Sequence, residues 1–580
     1  MRKIPGILFL LFAAFSSSAQ EKKDASLPFQ QANDAFNARE SKRDSILNHP
    51  LGSNKEEDFL RAYNFYDSLY KAIDRVKRDS LTFDDEINLD LMKYNIEDNI
   101  YNYKYKGYLN PILADEGFHT SLAGMGSRVI TKPAEFKDYI NRLKDIPRYV
   151  RENLDLMREG LKLGICQPRS ILDGYENTYE QHIVTDVEKS VFWKPFANKP
   201  FGMDDTEWNQ IREEGKNAIM QYAVEGFKEI KTFFDNEYLP KTRKTIGISN
   251  FPDGLNFYKE LVHHFTSTDI PYEEIYQLGL KEVDRIRTEM NEVMKEAKFT
   301  GSFQEFINYL RTDPKFYVTT PEQLLKEASF IAKKADGELP RFFGKLPRQP
   351  YGVEPVPAHL APTYTSGRYS GAPISSRRAG HYWVNTYDLK SRTLYTLESL
   401  TLHEAVPGHH LQTSLAQELT NLPSFRRNLY VNAYGEGWGL YCEYLGTEMG
   451  FYKDPYSHFG RLTYEMWRAC RLVLDVALHT KGWTREQGVK YLAENTALSL
   501  HEVNTEINRY ISWPGQALSY KIGELKIKEL RKRAEDALKD KFDIREFHDL
   551  ILSKGSVTLK ILEAMVDGYI KEKLAGKKPF

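Results

Sequence analysis

From about residue 60 to residue 345 the apolar side chains recur at the three-and-four spacing of a helix. Phe59, Leu60, Tyr63, Tyr66, Leu69 and Tyr70 fall on one stripe, and Ile275, Leu278, Val283 and Ile286 keep to one broad face. Charged residues fill the opposite faces, as solvated helix surfaces require. This period predicts a mainly α protein. The character changes between about 345 and 392, where Pro347, Pro350, Pro355, Pro357, Pro362 and Pro373 alternate with Gly352, Gly367, Gly371 and Gly380. That stretch reads as loop with short strands, and aromatic, β-branched His381–Thr386 is the best strand candidate. Helical patterning resumes afterwards, and no internal repeat interrupts it.

The chain has 580 residues, more than one hydrophobic core usually organises, so two lobes or a large helical domain with a cleft is expected. The expected segments are a signal peptide over 1–19, a polar lead-in over 20–60, a helical region over 61–345 and a metal-site region over 346–580. The last two form either separate lobes or one continuous domain. The leader reading rests on Met1-Arg2-Lys3, the apolar run Ile7–Phe15 and the small residues Ser16–Ala19. An apolar core of about ten residues falls short of the roughly 20 that span a bilayer. The expected product is periplasmic or secreted, with no stable membrane insertion and, for want of a cysteine at the cleavage point, no lipid anchor. A formal net charge of −1 argues against nucleic acid as a partner. Three cysteines, Cys166, Cys442 and Cys470, allow one bridge at most.

Chemistry concentrates in His403-Glu404-Ala405-Val406-Pro407-Gly408-His409-His410. A helix predicted to start near Thr396 runs into His403-Glu404, the opening of the zinc-peptidase motif H-E-x-x-H. In that motif two histidines one turn apart bind zinc, and the glutamate is general base to a zinc-bound water. Here Pro407 stands where the second histidine belongs. On an unbroken helix His409 would lie roughly 240° round from His403, and His410 about 10.5 Å further along the axis. Pro407 cannot donate to the carbonyl of His403 and crowds it, so the helix must kink or bulge, and Gly408 eases the distortion. A two-residue bulge brings His409 beside His403; a three-residue bulge brings His410. A catalytic zinc needs a third protein ligand. Glu436 in Tyr434-Gly435-Glu436-Gly437-Trp438-Gly439 is the candidate, since the glycines permit close approach to the metal helix. Glu443, two turns on, suits a supporting or solvated role. Two imidazoles and one carboxylate favour a single Zn2+.

These residues, with Pro514-Gly515-Gln516-Ala517 and Tyr520, resemble the bacterial family DUF885, grouped with gluzincin-type metallopeptidases. The resemblance covers at least residues 360–525. It implies a large helical, two-lobed fold of the thimet oligopeptidase and angiotensin-converting enzyme class, and it supports His403, His409 and Glu436 as ligands with Glu404 as base. Relatives of that class place a late tyrosine on the oxyanion, for which Tyr520 is preferred over Tyr510. Arg509, with Tyr510, is a candidate for gripping a substrate carboxylate, but an ordinary pairing of Arg509 with Glu506 is the preferred reading. Arg468, Arg471, Asp475 and His479 share a helix face; a structural ion-pair network is the preferred reading, with Asp475 orienting His479 as the alternative. His501-Glu502 reads as incidental. The expected activity is hydrolysis of a peptide or other small amide; the alternative is a non-catalytic metal- or peptide-binding protein on the same scaffold.

Overall fold

A computed structural model describes residues 27–46, 49–358, 360–376 and 378–577. The expected leader at 1–19 lies outside the described residues. The protein is mainly helical, with one three-stranded sheet. The elements that position the site are α1 (Tyr272–Glu296), β1 (Tyr351–Pro355), β2 (Gly367–Ser370), β3 (Gly380–Val384), α2 (Leu397–Glu404), α3 (His409–Gln417), α4 (Asn432–Leu445), α5 (Pro455–Thr480), α6 (Leu500–Ser512), α7 (Ser519–Leu538) and α8 (Leu559–Leu574).

The main core cluster runs from Phe29 in the lead-in to Tyr569 in α8, beside a small second cluster of Tyr108, Leu109, Leu156 and Ile165. Part of the lead-in is therefore packed: helix Leu27–Ile46 buries Phe29, Ala32 and Phe36. At the centre lies α5, buried without interruption from Phe459 to His479. A helix apolar on only one face could not occupy that place; α5 surrounds its arginines and acids with partners instead. α1 runs along α5, and α4 packs against α7. All three cysteines are buried and unbonded, so no bridge forms. No helix among the described residues is long and apolar enough to cross a membrane.

The sheet has the order β1-β3-β2, with β1 parallel and β2 antiparallel to β3. The strand expected at His381–Thr386 is β3, one residue earlier and shorter, and it is the central strand. β2 is one of the two edge strands, and there Gly367 and the polar side chains of Arg368 and Ser370 conceal the alternation that marks a strand.

The crossing of α4 and α7 depends on two glycines. A Cβ on Gly523 would stand 1.9 Å from the Ala433 carbonyl oxygen and 2.7 Å from Gly437 Cα, and a Cβ on Gly437 would meet the Gly523 backbone at 2.5 Å. Neither obstacle is a side-chain end that could swing aside, so a methyl here pushes two helix axes apart. Gly523→Ala is expected to lower the unfolding free energy by about 1–3 kcal/mol in urea titrations. Gly568→Ala, on the open face of α8 with nothing within 4 Å of the new methyl, is expected to be neutral or stabilising by up to about 1 kcal/mol. Equal effects of the two substitutions would refute the close-approach argument.

Candidate metal centre

α2 stops at Glu404. Ala405 (φ −91°, ψ −108°) and Gly408 (φ −73°, ψ −131°) leave helical geometry, and α3 restarts at His409. Across the break the His410 amide reaches back five residues to the Ala405 carbonyl at 3.1 Å. The Val406–Pro407 peptide is cis. Gly408 passes so close to His403 that a Cβ would lie 1.8 Å from its carbonyl oxygen, and the indole of Trp438 holds the bulge by donating to the Pro407 carbonyl at 2.9 Å.

The break turns His409 onto His403, their rings 4.8 Å apart and nearly perpendicular. Both point their Nε2 at one oxygen of Glu436 on α4, at 3.5 Å from His403 and 3.4 Å from His409. The three ligand atoms lie within 4.8 Å of one another. Donors bonded tetrahedrally at about 2.0–2.1 Å to one zinc stand roughly 3.4 Å apart, so these separations fit a shared ion. The other Glu436 oxygen accepts from the Tyr430 phenol at 3.0 Å, which leaves the oxygen between the imidazoles uncommitted. Gly439 makes room on α4: a Cβ there would be 2.6 Å from the His403 ring.

His410 faces the other way. Its Nδ1 lies 3.0 Å from the Tyr369 hydroxyl and 3.2 Å from Ser414 Oγ, and burial pushes its pKa down to about 4. Of the two open alternatives, the structure brings His409 to the cluster and leaves His410 in the packing beneath β2.

Glu443 supports His403 from behind. The His403 Nδ1 donates to Glu443 at 2.8 Å, which fixes the tautomer with Nε2 free to ligate. Arg468 of α5 lies 3.4 Å from the same Glu443 oxygen. Burial disfavours a charged His403, but hydrogen bonds to Glu436 and Glu443 outweigh it and lift its pKa to about 10. In the same field the carboxyl of Glu436, despite burial, stays well below the usual carboxylate range through its contacts with His403 and His409. The first shift reflects the carboxylates gathered round His403, and the second reflects the two imidazoles that face Glu436.

Glu404, buried beside the cluster, lines the same cavity, and its Oε2 accepts from the Tyr369 backbone N–H at 2.7 Å. The cavity measures about 540 Å3. Tyr520 lines it too, with its ring nearly parallel to that of His403 at 6.4 Å and the Arg471 guanidinium 4.1 Å from its centre. Arg509 also reaches the cavity. Tyr510 does not: its hydroxyl accepts from Trp467 Nε1 (2.7 Å) and Arg471 Nε (3.0 Å) beneath the wall, so its expected contact with substrate is corrected to a brace for Arg471. The alternative Asp475–His479 pair is likewise absent, while Arg468 and Arg471 of the same face do form ion pairs with Glu443 and Glu506. Asp475 accepts from Tyr258 (2.5 Å) and the Gly515 amide (3.0 Å), while His479 accepts from the Ile248 amide and meets the Tyr510 carbonyl oxygen. The helical spacing is right, but each side chain is drawn to a different neighbouring loop.

Several cavity residues escaped the sequence reading. Asp115 and Glu116 come from a distant loop, Tyr369 acts through its backbone, and Tyr430 precedes α4 by a turn. Glu502, taken as incidental, lines the cavity and accepts from Ser366 at 2.8 Å. Only the His-Glu pair at 501–502 offered a signal, and it pointed to the wrong chemistry.

None of the curated proteins compared with the chain matches it. A solved structure of a candidate lipoprotein from Colwellia psychrerythraea is similar over 95% of this chain and 99% of that one, with 26% identity and a TM-score of 0.85. A second, from a candidate lipoprotein of unknown function of Shewanella oneidensis, shares the fold at 17% identity and a TM-score of 0.67, over 93% and 99% of the two chains. The pattern of the DUF885 family, bacterial proteins of unknown function, matches residues 42–566, and the chain belongs to that family.

Proposed function

We propose that this protein is a zinc-dependent hydrolase acting on peptides outside the cytoplasm, related in fold and chemistry to the gluzincin peptidases of the thimet oligopeptidase and angiotensin-converting enzyme class. The observation that carries the proposal is the joint geometry of His403, His409 and Glu436 around one point, with Glu404 on the same cavity wall. A module that only bound metal would have no need of the fourth residue. Location outside the cytoplasm is supported by the leader-like start of the sequence and by the description of the similar Colwellia protein.

In this reading His403 Nε2, His409 Nε2 and a Glu436 oxygen hold the ion. A zinc ion held there would supply a Lewis acid for the attacking water and the substrate carbonyl. Glu404 takes the proton of the attacking water and passes it to the leaving amine. The Tyr369 amide holds one Glu404 oxygen and so fixes the carboxylate's direction. The Tyr520 hydroxyl donates a hydrogen bond to the oxyanion as it develops. Glu443 and Arg468 keep the His403 ring from turning.

Purified protein is expected to carry about one zinc per chain by elemental analysis. The ion should be lost in His403→Ala, His409→Ala and Glu436→Ala and kept in His410→Ala. Wild-type protein that stays metal-free after zinc is supplied would overturn the proposal. Glu404→Gln should keep its zinc while turnover of a peptide library drops by about 10²–10⁴. Turnover undiminished in that variant would remove Glu404 from the chemistry.

A further inference from the structure

Three arginines, Arg468, Arg471 and Arg509, line the part of the cavity around Tyr520. Arg468 has Glu443 as its counter-charge, and Arg471 donates to Glu506 at 2.8 Å. Arg509 forms no ion pair among the described residues. Its Nη2 reaches two neutral oxygens at the limit of hydrogen bonding, Gln516 Oε1 at 3.3 Å and Tyr520 Oη at 3.5 Å. Glu506 gives one oxygen to Arg471 and leaves the other without a partner, and both it and Asp115 act on Arg509 only from beyond ion-pair distance. Arg471, 1% exposed, leaves its Nη1 without any partner. A buried guanidinium with an unmade hydrogen bond, next to a second whose nearest acids stay beyond ion-pair distance, is costly unless an anion completes the pair.

The position bears on the proposed reaction. Tyr520 spans the interval, with its hydroxyl toward Arg509 and its ring against His403. Trp513 and Gln516, in the turn between α6 and α7, wall the cavity where Arg509 stands. A volume of about 540 Å3 falls within the ~300–1,000 Å3 of small-ligand sites, so a short peptide fits and a folded domain does not. A chain running past an arginine set in such a wall would need an exit, whereas a chain end would not.

We infer that Arg509, backed by the free Nη1 of Arg471, binds a carboxylate of the substrate, and that this carboxylate is the free C-terminus of a short peptide. The inference rests on the peptidase reading and narrows it to hydrolysis close to the C-terminus. Guanidinium is suited to the task because its planar donors match the two oxygens of a carboxylate.

The test is calorimetric binding to zinc-loaded Glu404→Gln protein, in which turnover does not interfere. The probes are an alanine tetrapeptide with a free C-terminus, its C-terminal amide, and an amide with one internal alanine changed to aspartate. The free acid is expected to bind about tenfold or more tighter than the plain amide. Adding Arg509→Met should abolish that preference while zinc content and melting temperature hold; should that variant fail to fold, the acid-against-amide comparison still decides. Equal binding of acid and amide would overturn the inference and leave the peptidase reading standing. Aspartate amide binding as tightly as the free acid would overturn the terminal assignment. Binding of none of the three would remove the peptide reading and the inference with it.

Discussion

Two residues six apart on a helix point about 120° away from each other and sit about 9 Å apart along the axis. His403 and His409 meet only because the chain abandons the helix for four residues and takes it up again. Everything else at the centre is arranged around that interruption. Trp438 ties the bulge from α4, Gly408 lets it fold back on His403, and the five-residue reach of the His410 amide rejoins the ladder. With the break in place, α4 needs only to run alongside α2 for one of its glutamates to meet the two free imidazole nitrogens and another to meet the nitrogen behind.

A cluster of carboxylates in a dry interior is expensive, and the central helix carries the means of supporting it. Arg468 lies against Glu443, and Arg471 is held by Glu506 and Tyr510 while it stacks on Tyr520. The same side chains that stabilise the ligand-bearing acids form the wall of the cavity. Stability and site are built from one set of buried charges, so a substitution in α5 would be felt in both.

Helical content, the strand at β3, the broken helix at Pro407 and the candidacy of His403, Glu404 and Glu436 were legible because each rests on short-range order: a period, a proline in a helix, glycines spaced along one face. The choice of His409 over His410 was legible only as a preference, since it turns on how many residues the bulge consumes, and the packing of Trp438 and Tyr369 decides that. Asp475 and His479 mislead for a related reason. Their spacing is ideal, yet a helix buried on all sides lets each side chain be claimed by a different loop. Asp115, Glu116 and Glu502 reach the cavity from segments far apart in sequence, where no local pattern marks them.

The backbone amide that holds Glu404 belongs to Tyr369, in the edge strand, and so is independent of the side chain at that position. Any residue but proline carries the N–H. The flanking residues Arg368 and Ser370 lie in register with Trp383 and His381, and that pairing sets where the amide points. The direction of the carboxylate is therefore encoded in strand register and not in residue identity. Across distant relatives the position could drift widely in chemistry while the sheet keeps the glutamate aimed, and a one-residue slip of β2 would do more harm than most substitutions within it.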